Sequence, residues 1–111
     1  VVNDTSADRT TIRDGGKLIV NTNGTATGTI IENGGLMKNV GGEDSGTTVK
    51  DGGVYELGRY NAGSADTPDY RYYGSSSASD LSVEAGGRAT VYAGTLTGAT
   101  VSGANASLTL M

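Results

Sequence analysis

Residues 28–35 read GTIIENGG and residues 46–53 read GTTVKDGG, so one pattern returns after 18 positions. In each copy a β-branched residue, here called the anchor, lies three positions before a pair of adjacent glycines. Glycine pairs that follow an anchor at this spacing occur four times, at residues 15–16, 34–35, 52–53 and 86–87. The successive intervals are 19, 18 and 34 residues. A period near 20 indicates one supersecondary unit stacked on copies of itself.

Around the anchors, small or apolar residues alternate with polar residues, as they do in short β-strands. The anchors are Ile12, Ile31, Val49, Val83 and, without a following glycine pair, Val101. Small or apolar residues lie two and five positions before the anchor in most copies, and we expect them to face inward with it. Glycine is frequent at the position three residues before the anchor. Because glycine tolerates positive φ, this position is expected to form a corner between two strands.

A second strand follows each glycine pair. In three of the copies its inward positions hold apolar residues, namely Leu18, Val20, Tyr55, Leu57, Ala89 and Val91. In the copy anchored by Ile31 the same positions hold Met37 and Asn39. Either Asn39 points inward, or the strand shifts and Val40 takes its place, and the sequence leaves both alternatives open.

These patterns predict an all-β chain, because glycine occurs in every stretch and β-branched residues dominate. Rungs of 18 or 19 residues with short strands and glycine-rich corners are typical of a parallel β-helix, or β-solenoid. We expect four to five rungs spaced about 4.8 Å apart. We also expect residues 1–111 to be a single β-helical unit of a longer protein.

The residues that follow the anchors alternate in charge along the chain: Arg13, Glu32, Lys50 and Glu84. If the rungs stack in this register, each of these charges lies beside an opposite one, which stabilises a sheet. Glu32 is therefore expected to lie beside Arg13, beside Lys50 or beside both.

The long interval contains residues 58–77, which have neither an anchor nor a glycine pair, and we interpret them as a loop inserted in one rung. The loop holds the only proline, Pro68, and four of the six tyrosines: Tyr60, Tyr70, Tyr72 and Tyr73. Tyrosine is favoured where protein surfaces meet, so one interpretation is a protruding contact loop. The alternative is that the rings fold back onto the flank of the β-helix and cover apolar atoms.

Composition limits the possible functions. The chain contains no histidine and no cysteine, and its formal net charge is −4. Serine and cysteine triads and the common zinc ligand sets are therefore excluded, and we expect no cofactor, no metal and no enzymatic activity. A polysaccharide-active β-helix enzyme with paired carboxylates is a remote alternative. Without a basic patch no nucleic-acid partner is expected, and no apolar run is long enough for a membrane-spanning helix.

Outward positions before the anchors hold serine or threonine in most copies, which predicts columns of hydroxyl groups along the stack. The candidate face consists of Thr25, Thr27, Ser45, Thr48, Ser77, Ser79, Ser82, Thr95, Thr97 and Thr100. Serine and threonine also suit any exposed strand, where neighbouring threonines support each other. The functional alternatives are a face for self-association, a flat threonine array that binds ice, and acceptor sites for O-linked sugars.

Several stretches resemble the repeats of about 19 residues in the AIDA-type self-associating autotransporter adhesins, the family of AIDA, TibA and antigen 43. The resemblance is carried by GTATGT at residues 24–29, TIIENGG at residues 29–35 and SGTTVKDGG at residues 45–53. It implies a right-handed β-helical passenger displayed on a Gram-negative cell. A C-terminal β-barrel outside this sequence is expected to hold that passenger in the outer membrane.

The resemblance also implies a function and partners. We expect autoaggregation, biofilm formation and adhesion to host cells through the side of the β-helix. The partners are then copies of the protein on neighbouring cells and host-cell surface receptors. Family members often carry O-linked heptose on serine and threonine, so the alternative is an acceptor domain for a heptosyltransferase, whose sugars mediate adhesion.

Overall fold

The computed structural model describes residues 6–110, and within that range every helix or strand element is a β-strand. The strands are short, from two to four residues. In chain order they are β1 Ser6–Asp8, β2 Thr11–Ile12, β3 Lys17–Val20, β4 Thr25–Thr27, β5 Ile30–Ile31, β6 Leu36–Asn39, β7 Glu43–Ser45, β8 Thr48–Val49, β9 Val54–Leu57, β10 Arg59–Asn61, β11 Tyr70–Tyr72, β12 Ser77–Ser79, β13 Ser82–Val83, β14 Arg88–Val91, β15 Thr95–Thr97, β16 Thr100–Val101 and β17 Ser107–Leu110.

All but β10 and β11 wind into a parallel β-helix of five turns with three strands in each turn. Equivalent strands of successive turns pair in parallel and build three five-stranded sheets. The first sheet contains β1, β4, β7, β12 and β15, the second β2, β5, β8, β13 and β16, and the third β3, β6, β9, β14 and β17. The predicted all-β class and the parallel β-helix of four to five rungs are confirmed. A right-handed coil stays a prediction, in line with the handedness of parallel crossovers.

The anchors lie above one another in the second sheet. Its register aligns Ile12, Ile31, Val49, Val83 and Val101 in the order of the turns. All of them except Val101 are buried. Each buried aliphatic side chain of this size contributes about 1.5–3 kcal/mol to folding. A narrow stack of small side chains therefore takes the place of a broad core.

The corner between the first and second sheets has the same backbone in every turn. Gly28, Gly46 and Gly98 have φ between 67° and 71°, and Arg9 and Asp80 have φ of 57° and 56°. Left-handed backbone costs little for glycine and is unfavourable for residues with a side chain. The corner expected three positions before each anchor is confirmed.

The two glycines of a pair serve different purposes. Gly52 has a φ of +78°, as a tight turn requires. Gly53 lies so close to the previous turn that an added Cβ would come within 2.7 Å of the Ile31 carbonyl oxygen. Gly35 lies equally close to the preceding turn, since its Cβ would meet the Ile12 carbonyl oxygen at 2.6 Å. Each pair therefore marks a turn that packs directly on the backbone of its neighbour.

Asn39 points into the core. In the third sheet it pairs with Val20 on one side and Leu57 on the other, and all three side chains are buried. Val40, the next residue, is buried as well. The strand keeps its register, so the first of the two sequence alternatives is correct.

Residues 59–72 leave the coil between β9 and β12 and contain the antiparallel pair of β10 and β11. The register of this hairpin places Arg59 opposite Tyr72. The coil resumes at β12, where Ser77, the last residue of the expected loop, already belongs to the first sheet. The hairpin therefore projects from the corner that joins the third sheet to the first.

Candidate functional site

The first sheet carries two outward columns of polar side chains. One column consists of Ser6, Thr25, Glu43, Ser77 and Thr95, and the other of Asp8, Thr27, Ser45, Ser79 and Thr97. All ten residues are exposed or half-buried. Since neighbouring strands lie about 4.8 Å apart, the hydroxyl groups form two rows along the length of the coil.

A third column lies on the second sheet. It consists of Thr11, Ile30, Thr48, Ser82 and Thr100. The corner with positive φ separates this column from the first sheet. The candidate hydroxyl residues therefore occupy two adjoining sheets, and Ile30 and Glu43 interrupt their columns.

The expected ion pair between adjacent turns is present. Arg13 Nε lies 3.3 Å from Glu32 Oε1, and these residues follow the anchors of the first and second turns. This contact confirms the predicted register. The Arg13 side chain is exposed and that of Glu32 is half-buried at the surface, so the pair contributes about 1 kcal/mol or less.

The tyrosines of the hairpin differ in exposure. Tyr60, Tyr70 and Tyr72 are exposed by 38%, 43% and 60%. Tyr73 is half-buried, and its Cδ2 atom would lie 3.6 Å from a Cβ added to Gly41 at the corner of the second turn. The hairpin thus presents three rings to solvent and packs the fourth on the coil, which combines features of both sequence interpretations.

Arg59 holds the hairpin against the coil. Its guanidinium carbon lies 4.1 Å from the ring centre of Tyr70 and 3.8 Å from that of Tyr92, which follows β14. Each cation–π contact of this kind is worth about 0.5–1 kcal/mol at an exposed site. Burial raises the pKa of the Tyr92 phenol, and the Glu56 carboxylate raises it further. No signal in the sequence indicated that Arg59 would lie between two tyrosines.

A polar cluster lies in the core where the second and third turns meet. Asp44 Oδ2 accepts hydrogen bonds from Asn39 Nδ2 at 2.8 Å and from the Tyr55 hydroxyl, and Asp44 Oδ1 accepts one from Thr47 Oγ1 at 3.0 Å. Burial raises the pKa of Asp44, and the three hydrogen bonds oppose that shift. Burial and the charge of Asp44 together raise the pKa of Tyr55 well above its usual value. The inward position of Asp44 was expected from its column, whereas its partners were not.

Acidic side chains of the described residues lie both in the buried cluster and on the hairpin. The buried cluster contains one carboxylate, whereas glycoside hydrolysis uses two facing carboxyl groups. Asp69 is exposed and pairs with Arg71 Nη2 at 2.9 Å. Within residues 6–110 no group of three or more histidine, cysteine or acidic side chains is placed to hold a metal ion. The same residues include no helix long and apolar enough to cross a membrane.

Comparison with known proteins agrees with the repeat pattern. Residues 1–53 match the family model described as adhesin of bacterial autotransporter system, probable stalk. Among solved structures, the chain is similar to the crystal structure of the TibC-catalysed, hyper-glycosylated TibA 55–350 fragment, with a TM-score of 0.65 and 23% sequence identity. That match covers 96% of this chain and 40% of the TibA chain. No curated protein sequence matches this chain.

The two positive comparisons establish different things. The likeness to TibA shows that the two chains share a fold. The family match rests on sequence, and it includes the first three glycine pairs and the first two turns of the coil. Beyond residue 53 the three sheets continue in the same register to Leu110. The sequence match to the autotransporter adhesin stalk family therefore covers residues 1–53, and the β-helix continues beyond it through the described residues.

Proposed function

We propose that this chain is a surface-displayed adhesion module that mediates autoaggregation, biofilm formation and attachment to host cells through the side of the β-helix. The observation that carries the proposal is the pair of outward columns on the first sheet, each of which holds a hydroxyl group in four of the five turns. The proposed partners are copies of the protein on neighbouring cells and receptors on host cells. The module acts by binding, without catalysis, and an outer-membrane β-barrel in the same protein anchors it.

The chemistry of the columns suits contact between two rods. A hydroxyl group both donates and accepts hydrogen bonds, so one column can bond to an identical column on another molecule. Each such bond contributes about 1 kcal/mol or less. The total binding free energy becomes large because such bonds repeat along the rod and across a crowded cell surface. Every bond after the first forms at a high effective concentration.

A second candidate is an O-glycosylated acceptor domain whose sugars make the adhesive contacts. The observation that favours it is the likeness to a hyper-glycosylated TibA fragment, together with exposed hydroxyl groups on Thr27, Thr95 and Thr97. In this case a heptosyltransferase is the partner of the chain. Intact-mass spectrometry of protein from the native host separates the two candidates, since heptose additions would appear as regular mass increments.

Sedimentation of bacteria that display the protein tests the adhesive face. The variant Thr95→Lys/Thr97→Lys places two charges on the first sheet, and Ser107→Lys/Thr109→Lys places two on the third sheet in the same turn. All four residues are exposed, so both variants should fold. We expect the first variant to slow clumping and settling and the second to leave them unchanged. Equal settling of both variants and the unmodified cells would contradict the proposed face.

A further inference from the structure

Two grooves lie at the corner between the third and first sheets, where the hairpin folds back on the coil. The first groove has a volume of about 310 Å³ and is lined by Ile19, Asn21, Val40, Tyr60 and Tyr73. Two aromatic rings and two aliphatic side chains thus surround it, with one amide among them. This volume is at the lower end of the range for small-ligand sites.

The second groove is polar. It has a volume of about 380 Å³, and its side chains are those of Asn23, Thr25, Glu43 and Ser75, beside three glycines. Thr25 and Glu43 also belong to an outward column of the first sheet. The groove therefore connects the hairpin corner to the face proposed for adhesion.

The two grooves are lined by neighbouring stretches of chain and share no lining residue. The polar groove is lined by residues 23–25, 41–43 and 75, and the aromatic groove by residues 19, 21, 40, 60 and 73. Tyr73 of the aromatic groove lies near Gly41 of the polar groove, since its Cδ2 atom would lie 3.6 Å from a Cβ added to that glycine. An aromatic groove and a polar groove therefore lie side by side.

This combination fits a sugar better than it fits a peptide or a lipid. A pyranose ring has an apolar face of C–H groups that packs on an aromatic ring, and an edge of hydroxyl groups that needs donors and acceptors. Tyr60 and Tyr73 supply aromatic rings to one groove, while Asn23, Glu43 and Ser75 supply polar atoms to the other. Among the described residues that line the grooves there is no lysine or arginine to balance an acidic sugar, and Glu43 would repel one.

We propose that the two grooves form a single binding site for a neutral oligosaccharide of at least two pyranose rings. One ring stacks in the aromatic groove against Tyr60 and Tyr73. The next ring hydrogen-bonds in the polar groove with Asn23, Glu43 and Ser75. This inference deepens the proposed adhesive role and rests on it for its biological purpose, since it names neutral glycans as the receptor class on the opposing surface.

Ligand-observed saturation-transfer NMR on the purified protein tests the site. The probes are maltotriose, mannotriose, triacetylchitotriose and N-acetyllactosamine, with 3′-sialyllactose as the acidic comparison. We expect at least one neutral probe to bind with a Kd on the order of 0.1–1 mM, because the two grooves are open and bury only part of a ligand. The sialylated probe should bind at least about tenfold more weakly, because its carboxylate meets Glu43.

Matched tyrosine variants locate the binding. Tyr60→Ala and Tyr73→Ala should each weaken binding by about tenfold or more, and Tyr73→Phe, which keeps the ring, by no more than about twofold. Tyr72→Ala is the control, since Tyr72 is 60% exposed on the same hairpin and lines neither groove. Circular dichroism of each variant verifies folding, and Tyr60→Ala carries the test if Tyr73→Ala unfolds.

Two outcomes would overturn the proposal. One is that no neutral probe binds the unmodified protein, and the other is that Tyr72→Ala weakens binding as much as Tyr60→Ala. The sedimentation experiment is independent of both. If Thr95→Lys/Thr97→Lys slows clumping while the purified protein binds no neutral sugar, the glycan site is wrong and the hydroxyl face stands.

Discussion

Asn39 donates a hydrogen bond from Nδ2 to Asp44 Oδ2 over 2.8 Å, and both residues are buried. The same nitrogen donates to the Ser77 carbonyl oxygen at 2.9 Å, and Asn39 Oδ1 accepts from the Gly42 N–H at 2.9 Å. The amide of Asn39 therefore links strands of the second, third and fourth turns. A slip in register would leave these buried groups unpaired, so the cluster specifies which residues stack.

Replacing Asn39 by leucine should destabilise the β-helix by about 2–4 kcal/mol, because Asp44 and the Gly42 N–H each lose a buried partner. Urea unfolding followed by circular dichroism measures the effect. Met37→Leu is the control, since Met37 is an inward residue of the same strand and a swap of similar volume costs less than about 1.5 kcal/mol. Identical unfolding midpoints for the two variants would show that the hydrogen bonds add no stability.

Asp44 should make stability depend on pH. Its pKa is raised from 3.8 in the folded state, chiefly by burial, so the folded chain holds a proton more tightly than the unfolded chain. The stability that this proton contributes is fully present below pH 3.8 and is lost as the pH rises through the raised pKa. Urea midpoints of the unmodified protein should therefore fall across this window relative to those of Asp44→Asn. A constant difference between the two proteins at every pH would refute the assignment.

Gly53→Ala should destabilise the coil by about 2–4 kcal/mol, because the new Cβ would lie 2.7 Å from the Ile31 carbonyl oxygen, a backbone atom that cannot move aside. Gly74→Ala is the matched control. No atom lies within 4 Å of the Cβ position of Gly74, so this change should cost less than about 0.5 kcal/mol. Thermal unfolding of both variants checks the difference, and an equal loss would mean that contact between turns is not what the second glycine permits.

Arg59→Ala should loosen the hairpin without unfolding the coil, because the side chain joins Tyr70 of the hairpin to Tyr92 of the coil. The loss of both cation–π contacts amounts to about 1–2 kcal/mol. Hydrogen exchange should then accelerate in residues 59–72 and stay unchanged in β9 and β14. Arg71→Ala is the control, since Arg71 is exposed and its ion pair within residues 6–110 is with Asp69 of the loop that contains the hairpin. Equally fast exchange in both variants would argue against the Arg59 contact.

Much of the fold could be predicted because the constraints on it are local and repeat. The anchor column, the corner glycines and the pairing of Arg13 with Glu32 all follow from one period. The hydroxyl columns follow from the same register, so the residues of the candidate face could be named from sequence. Their division between two sheets follows from the corner that the repeat predicts three positions before each anchor.

The remaining features depend on contacts between residues that are far apart in the sequence. The sequence showed only that Asn39 is a polar residue at a position that is apolar in the other copies. Its hydrogen bond to Ser77 could not be predicted, because Ser77 lies 38 residues away, beyond the hairpin. The position of Tyr73 near Gly41 depends on how the hairpin folds back, which no periodic pattern encodes. The two grooves result from that same packing, so the sequence held no signal for them beyond the concentration of tyrosines.

Cysteine cross-linking on clumped cells tests most directly whether rods meet through the first sheet. The chain has no cysteine, so Thr97→Cys introduces a unique thiol on the first sheet and Thr109→Cys one on the third sheet of the same turn. Both positions are exposed. With a short bismaleimide, Thr97→Cys should yield covalent dimers between copies and Thr109→Cys should yield none. Dimers from Thr109→Cys in equal or greater amount would contradict the first sheet as the contact face.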